Sequence, residues 1–342
     1  MPFRIIRNDI TKVTADAIVN TANPRPVIGR GTDSAVYAAA GAEKLLDERA
    51  KIGVIERGQA AATPAFALHA KYIIHTVGPS WEGGDHGEQE VLRSCYRSSL
   101  TLAAELKAKS IAFPLIATGV YGFPKDEALN IALSEIGKFL FTHDMDVILV
   151  VFDQTAFELS KQLVGEIDEY IDEHGVGEAR RDEYGDAWLY HRREMRETRV
   201  GTVTNLLQHP APVPVKKDPS LDEVLDGAGE SFRQRLFQLI QESGMDDVTV
   251  YKRANIDRKL FSRIRTNPNY KPTKRTAVAL AIALELDMPV MQDLLARAEI
   301  ALSPSSKFDL IINYFVTHGI YDIFEINAAL FQYGQPILGL DE

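Results

Sequence analysis

Apolar segments typical of strands alternate with helical segments through the first half of the chain. The apolar segments lie near Ile5 and at 17–20, 72–77, 111–116 and 147–152, and the helical segments span about 32–51, 88–107, 124–143 and 156–174. This alternation restricts the fold most strongly, because a sheet built from such strands must be covered on both faces. It predicts an α/β sandwich with helices on both faces and a ligand site at the carboxyl ends of the strands.

One predicted strand runs into a loop that carries both asparagine and glycine. Residues 20–33 read NTANPRPVIGRGTD. Gly29 and Gly31 leave room for backbone N–H groups to face an anion, and a helix that begins near Thr32 adds its positive end. The amides of Asn20 and Asn23 suit the neighbouring hydroxyls of a ribose. We therefore expect a pocket for a ligand with phosphate and ribose groups.

Asp33 is the carboxylate closest to this loop in sequence. Because the start of a helix stabilises an anion, we expect Asp33 to be ionised and able to hold or polarise a water molecule. The alternative is that Asp33 only complements the helix N-terminus.

A second glycine loop follows the strand at 111–116. Residues 117–123 read ATGVYGF, and Pro124 then opens another helix. Two such loops at neighbouring strand ends can clamp a diphosphate between them. The alternative is an ordinary glycine-rich turn between a strand and a helix.

Five segments in this half resemble the ordered signatures of macrodomains, with MacroD-like ADP-ribose hydrolases as the nearest branch. They are DIT at 9–11, AIVNTAN at 17–23, HTVGP at 75–79, FPLIATGVYG at 113–122 and FD at 152–153. The resemblance implies a three-layer α/β/α domain that binds ADP-ribose. It also implies removal of mono-ADP-ribose from modified acidic side chains, or hydrolysis of related ADP-ribosyl esters. Because the eight histidines are dispersed and there is one cysteine, we expect no metal or other cofactor.

The resemblance also implies roles for particular residues. Asp9 and the N–H of Ile10 would hold adenine, Phe152 would stack on it, Asn23 would orient the distal ribose, and Asp33 would activate water. The two loops would supply the other ligand contacts, namely Ala22, Gly29, Arg30, Gly31, Thr118, Gly119, Val120, Tyr121 and Gly122. For Phe152 the alternative is an ordinary core residue, as strand-end aromatics often are.

The first loop departs from the hydrolase branch. That branch usually has a run of glycines where this chain has Ile28-Gly29-Arg30-Gly31. Arg30 could reach the diphosphate as a charged donor or point to solvent. The departure leaves the efficiency of turnover open.

Length and charge limit the other classes of protein. The chain of 342 residues is long enough for two domains, and its net charge of −10 argues against general nucleic-acid or membrane-surface binding. Cys95 is the single cysteine, which leaves no disulfide framework. No apolar run approaches the length of a membrane span, and the amino terminus lacks a signal core, so we expect a cytoplasmic protein.

The second half has a different organisation. We predict that the macrodomain spans 1–172, that 173–227 is a charged and Pro-rich linker with a short helix around 184–196, and that 228–342 is all-α. The helices of the last part resemble a lambda-repressor-type helix-turn-helix domain, with 257–264 in the position of the recognition helix.

Positive charge is concentrated in this second domain. Nine lysines and arginines lie between positions 252 and 275 against the single acid Asp257. We hypothesise contact with DNA or RNA through Lys252, Arg258, Lys259 and Arg263. A protein-docking domain is the alternative. For the whole chain, the rivals to a hydrolase are a non-catalytic ADP-ribose reader and a nucleic-acid-binding regulator that senses an NAD-derived metabolite.

Overall fold

The structure, a computed structural model, describes residues 3–152, 159–175 and 230–339. The predicted short helix at 184–196 and nearly all of the predicted linker lie outside the described residues. No helix in the described ranges is long and apolar enough to cross a membrane.

A mixed sheet forms the centre of the first half. Its strands are β1 (Phe3–Arg7), β2 (Ala17–Thr21), β3 (Ala60–Pro64), β4 (Tyr72–Thr76), β5 (Ser110–Pro114) and β6 (Asp146–Val151). The spatial order is β1-β6-β5-β2-β4-β3, and every neighbouring pair is parallel except β3 with β4. Strand β3 was not predicted, because its sequence AAATP consists of residues that are depleted in strands, apart from its threonine.

Helices connect these strands as predicted, with two differences in their bounds. They are α1 (Thr32–Ala40), α2 (Ala42–Ile52), α3 (Glu88–Glu105), α4 (Lys125–Thr142) and α5 (Lys161–His174). The single helix predicted at 32–51 is interrupted at Gly41, whose φ of 100° is incompatible with a continuous helix. Helix α5 begins later than predicted, where the Ser160 side chain accepts a hydrogen bond from the N–H of Leu163.

Alternate residues of β6 belong to two different apolar cores. Val147, Leu149 and Val151 face the side that α3 and α4 cover. Ile148 and Val150 face the side that α1 and α2 cover. This period of two confirms a three-layer α/β/α arrangement, since both faces of the sheet are buried.

The last described part is all-α, as predicted. Its helices are α6 (Phe232–Ser243), α7 (Asp247–Arg253), α8 (Arg258–Thr266), α9 (Lys274–Ala283), α10 (Met288–Ala296), α11 (Lys307–Thr317) and α12 (Ile323–Gln332). Ser231 and Asp257 cap α6 and α8 through their side chains, and Gly244 ends α6 in the left-handed conformation. Assignment of α7 and α8 to the helix-turn-helix class stays a prediction.

The helical region packs against strand β1 and helices α4 and α5. Asn255 lies in the turn between α7 and α8, and its side chain pairs with both backbone groups of Phe3: Oδ1 accepts from the N–H over 2.7 Å, and Nδ2 donates to the carbonyl over 3.0 Å. Phe324 of α12 lies edge-on to Phe3, with ring centres 5.4 Å apart. The apolar core on the α3 and α4 side of the sheet therefore continues into the helical region.

Candidate active site

A cleft of about 520 Å³ lies at the carboxyl ends of β2, β5 and β6, between the two glycine loops. This is the position that the strand order predicts for a ligand site. Ten predicted site residues line it: Asn23, Gly29, Arg30, Gly31, Asp33, Thr118, Gly119, Val120, Tyr121 and Phe152. The sequence interpretation did not include Lys125 at the start of α4, which also lines the cleft.

Asp33 lies at the buried foot of the cleft, in the first turn of α1. Its Oδ2 accepts the backbone N–H of Gly29 over 2.5 Å, and its Oδ1 accepts Nδ2 of Asn20 over 2.6 Å. Burial raises the pKa of Asp33, while these two hydrogen bonds and the charge of Arg49 lower it in part. Desolvation is therefore the largest influence on the pKa of this carboxyl group.

Asn23 joins the two loops across the cleft. Its Nδ2 donates to the carbonyl of Val27 over 3.0 Å, and its Oδ1 accepts from the Tyr121 hydroxyl at 3.3 Å. From below, the buried guanidinium of Arg49 donates to the carbonyls of Asn23 and Pro24. The orientation of Asn23 is thus set by protein contacts alone.

Two buried polar residues lie behind Asp33. His75 was not predicted as a site residue, and the predicted contact of Asn20 with a ribose is wrong, because its amide is buried against Asp33 and His75 and does not line the cleft. Asn20 and His75 are fully buried on neighbouring strands, and Nδ2 of Asn20 lies 3.2 Å from Nδ1 of His75. Burial, with the charge of Arg49, lowers the pKa of His75 to about 3. His75 is therefore a hydrogen-bonded core residue. The available sequence signal was a polar side chain within an apolar strand, since such a residue needs a partner.

Phe152 directly follows β6, which is separated by β5 from the strand β2 that leads to Asp33, and both residues line the cleft. Its side chain is 71% exposed, which excludes the alternative that it is a core residue. An exposed ring beside a cleft offers a flat apolar surface on which a base can stack. Arg30 is also exposed where it lines the cleft.

Four residues predicted to contact a ligand are not among those that line the cleft. Asp9 caps a short turn, and its Oδ1 accepts both the N–H and the hydroxyl of Thr11. Ile10 and Ala22 are buried, and the N–H of Ala22 donates to the carbonyl of Thr76. Gly122 closes the second loop in the left-handed conformation, with φ 68°.

The predicted nucleic-acid residues fall into two environments. Nζ of Lys252 donates to the carbonyl of Phe141 over 3.0 Å and lies 3.5 Å from a carboxylate oxygen of Asp144, so it faces the first domain. Arg258, Lys259 and Arg263 lie exposed on α8, and within the described residues they form no ion pair.

The N-terminal half of the chain is similar in sequence to known proteins. The Macro domain family matches residues 19–132. A macro domain-containing protein of Methanosarcina mazei is 45% identical over 48% of this chain and 89% of that protein. The O-acetyl-ADP-ribose deacetylase of Salmonella gallinarum is 42% identical over 47% of this chain and 93% of that protein. The solved Oceanobacillus iheyensis macrodomain with MES bound is 37% identical over 48% of this chain and 91% of that chain, with a TM-score of 0.44. Through its N-terminal half, this chain belongs to the macrodomain family.

Proposed function

We propose that the cleft binds ADP-ribose and that the protein hydrolyses the bond between the distal ribose and an attached acyl group. The substrates are mono-ADP-ribosylated acidic side chains of proteins or small O-acyl esters of ADP-ribose. The observation that carries this proposal is the Asp33 carboxylate, which is held by two N–H donors at the foot of a cleft between two glycine loops.

Each part of the cleft suits one part of that ligand. The exposed ring of Phe152 offers a stacking surface for adenine. The backbone of the two loops, together with Arg30 and Lys125, offers N–H groups and positive charge for the diphosphate. Asn23 lies near Asp33 in the cleft. The second hydrogen of the Asn23 amide, which Val27 does not use, can meet a ribose hydroxyl there.

Asp33 supplies the group that a hydrolytic step needs. Each carboxylate oxygen already accepts one N–H bond and retains a second lone pair for a water molecule. The ionised carboxylate of Asp33 polarises that water. As the bond between the ribose and the acyl group breaks, the hydroxyl and the proton of the water are divided between the two products, which are the free carboxylic acid and the ribose. The likeness to proteins named O-acetyl-ADP-ribose deacetylase supports this reaction class.

A binding titration combined with two turnover assays tests the proposal. We expect the wild-type protein to bind ADP-ribose. In Asp33→Asn we expect the hydrolysis of O-acetyl-ADP-ribose, and the release of ADP-ribose from a protein modified on glutamate, to be abolished. Binding should stay within about tenfold in that variant, because the amide preserves size but not charge. Asp47→Asn on the exposed face of α2 is the matched control. Binding without turnover of either substrate would favour the non-catalytic reader.

A second activity is supported by the surface of α8. Arg258, Lys259 and Arg263 present positive charge to solvent in an otherwise acidic chain. Phosphate groups of DNA or RNA are the ligands that such a surface suits. We propose this contact without Lys252, whose ammonium group is used between the domains.

A further inference from the structure

Behind the cleft, four buried side chains from four different elements form a continuous row. Asp33 of α1 contacts Asn20 of β2, Asn20 contacts His75 of β4, and His75 contacts Thr63 of β3. The last contact joins Nε2 of His75 to Oγ1 of Thr63 over 2.9 Å. All four residues are at most 2% exposed, so the row is shielded from solvent.

The orientation of the Asn20 amide follows from its two neighbours. Nδ2 contacts a carboxylate oxygen of Asp33 on one side and Nδ1 of His75 on the other. Both are acceptors when His75 is neutral with an unprotonated Nδ1, and the amide nitrogen has two hydrogens to donate. No described residue donates to Oδ1 of Asn20, so the amide is held entirely through its nitrogen.

The protonation of His75 follows in turn. The titratable groups around it are Arg49 and Tyr37, whose ring centre lies 6.4 Å away, and Asp33 beyond Asn20. Burial and the positive charge of Arg49 both disfavour a charged imidazole. With Nδ1 accepting from Asn20, the single ring proton must lie on Nε2, where it points to the hydroxyl of Thr63.

We propose that Thr63, His75 and Asn20 act as positioning residues that set the direction of the Asp33 carboxylate. Asn20 donates to Nδ1 of His75 and so fixes its tautomer, Thr63 accepts from Nε2–H and holds the ring in place, and the amide of Asn20, oriented by this contact, holds Oδ1 of Asp33 while Gly29 holds Oδ2. This inference rests on the proposed hydrolytic function, but its physical part, the tautomer of His75, is independent of turnover.

Substitution at the far end of the row tests the proposal, because Thr63 is not among the residues that line the cleft. Thr63→Val preserves shape and removes the acceptor for Nε2–H. Nε2–H of His75 then lies buried without an acceptor, so the imidazole is no longer held in place and its contact with the amide of Asn20 weakens. We expect kcat to fall about tenfold to a hundredfold with little change in KM or in the affinity for ADP-ribose.

Thr76→Val is the matched control. Thr76 is also buried on β4, directly after His75, but its hydroxyl donates to the carbonyl of Gln59 and takes no part in the row. If the two valine variants lose activity equally, at matched thermal stability, the positioning role is overturned.

Nitrogen NMR of the histidine rings decides the physical part without any substrate. We expect His75 to be neutral with its proton on Nε2 in both the wild type and Thr63→Val, and the ring-nitrogen shifts of the variant to show a weaker hydrogen bond at Nδ1. A wild-type His75 protonated on Nδ1 would overturn the proposal even if the enzyme is active. The expected tautomer in a protein that turns over neither substrate would keep the row and reject the hydrolase.

Discussion

The backbone of Gly29 is hydrogen-bonded to Asp33, and the two residues lie too close together for a side chain on Gly29. The N–H of Gly29 donates to Oδ2 of Asp33 over 2.5 Å, and a Cβ on Gly29 would lie 3.1 Å from that same oxygen. It would also lie 2.9 Å from Nδ2 of Asn23. Because φ of Gly29 is outside the left-handed region, these contacts and not the backbone conformation require glycine here.

We therefore predict that Gly29→Ala impairs turnover more than binding. The added methyl group must displace the carboxylate or the Asn23 amide by a few tenths of an ångström. A displaced carboxylate should lower kcat by about tenfold or more, whereas the contact of Phe152 with adenine remains. Gly165→Ala on α5, where a Cβ has no neighbour within 4 Å, is the control and should leave kcat unchanged. Equal kcat in the two variants would contradict the prediction.

Phe152→Ala should weaken ADP-ribose binding by about 1 to 3 kcal/mol, the usual contribution of an aromatic ring stacked on a base. The melting temperature should hardly change. Because the ring is 71% exposed, its truncation removes little buried surface. Calorimetric titration and thermal unfolding measure the two effects. Phe141→Ala on α4 is the control, since Phe141 is 49% exposed and does not line the cleft. Normal affinity in Phe152→Ala would remove the stacking role.

Local signals account for the parts of the fold that the sequence predicted. The helix starts at Ser231 and Asp257 depend on side chains that bond three residues ahead, so a short window of sequence contains them. The two glycine loops were predicted for the same reason. Strand β3 was not, because its stability comes from pairing with β4 and not from its own residues.

Contacts between distant residues could not be predicted. The pairing of Asn255 with Phe3 joins residues 252 positions apart, and nothing near Asn255 in sequence indicates its partner. The row from Thr63 to Asp33 likewise requires the register of β2, β3 and β4. Charge alone suggested that Lys252 was available, whereas its contact with Phe141 depends on how the two domains pack.

The packing of the domains predicts that they stay together after the chain is cut. An engineered protease site between Val200 and Lys217 should yield two pieces that co-elute in size exclusion, because the apolar core continues from the sheet into the helical region. Asn255→Ala in the cut protein should weaken the association, since it leaves the N–H and carbonyl of Phe3 buried and unpaired, at a cost of about 1 to 3 kcal/mol for each. Asn269→Ala, at an exposed position, is the control. If the two pieces of the cut protein elute separately even without Asn255→Ala, the shared core is contradicted.

Nucleic-acid binding by α8 should be strongly salt-dependent. If phosphates are the ligands, log affinity for duplex DNA should fall with log salt by about 0.9 for each phosphate neutralised. Arg258→Ala with Lys259→Ala should reduce that slope and weaken binding for all sequences. Lys12→Ala with Lys44→Ala, both at exposed positions of the first domain, is the control pair. A folded protein with no affinity at low salt would leave protein docking as the role of this surface.

The buried imidazole of His75 predicts a specific dependence of stability on pH. Its pKa is lowered by burial from 6.5 to about 3 in the folded protein, so within that interval the unfolded chain binds a proton that the folded chain does not. The free energy of unfolding should therefore decrease as the pH falls from 6.5 toward 3, by up to about 1.4 kcal/mol per pH unit from this residue. His75→Gln, which cannot be protonated, should show a smaller decrease in urea unfolding measured across this range. His69→Gln, at an exposed position, should retain the wild-type dependence. If His75→Gln and the wild type lose stability in parallel on acidification, the assignment of His75 as neutral in the folded protein is wrong.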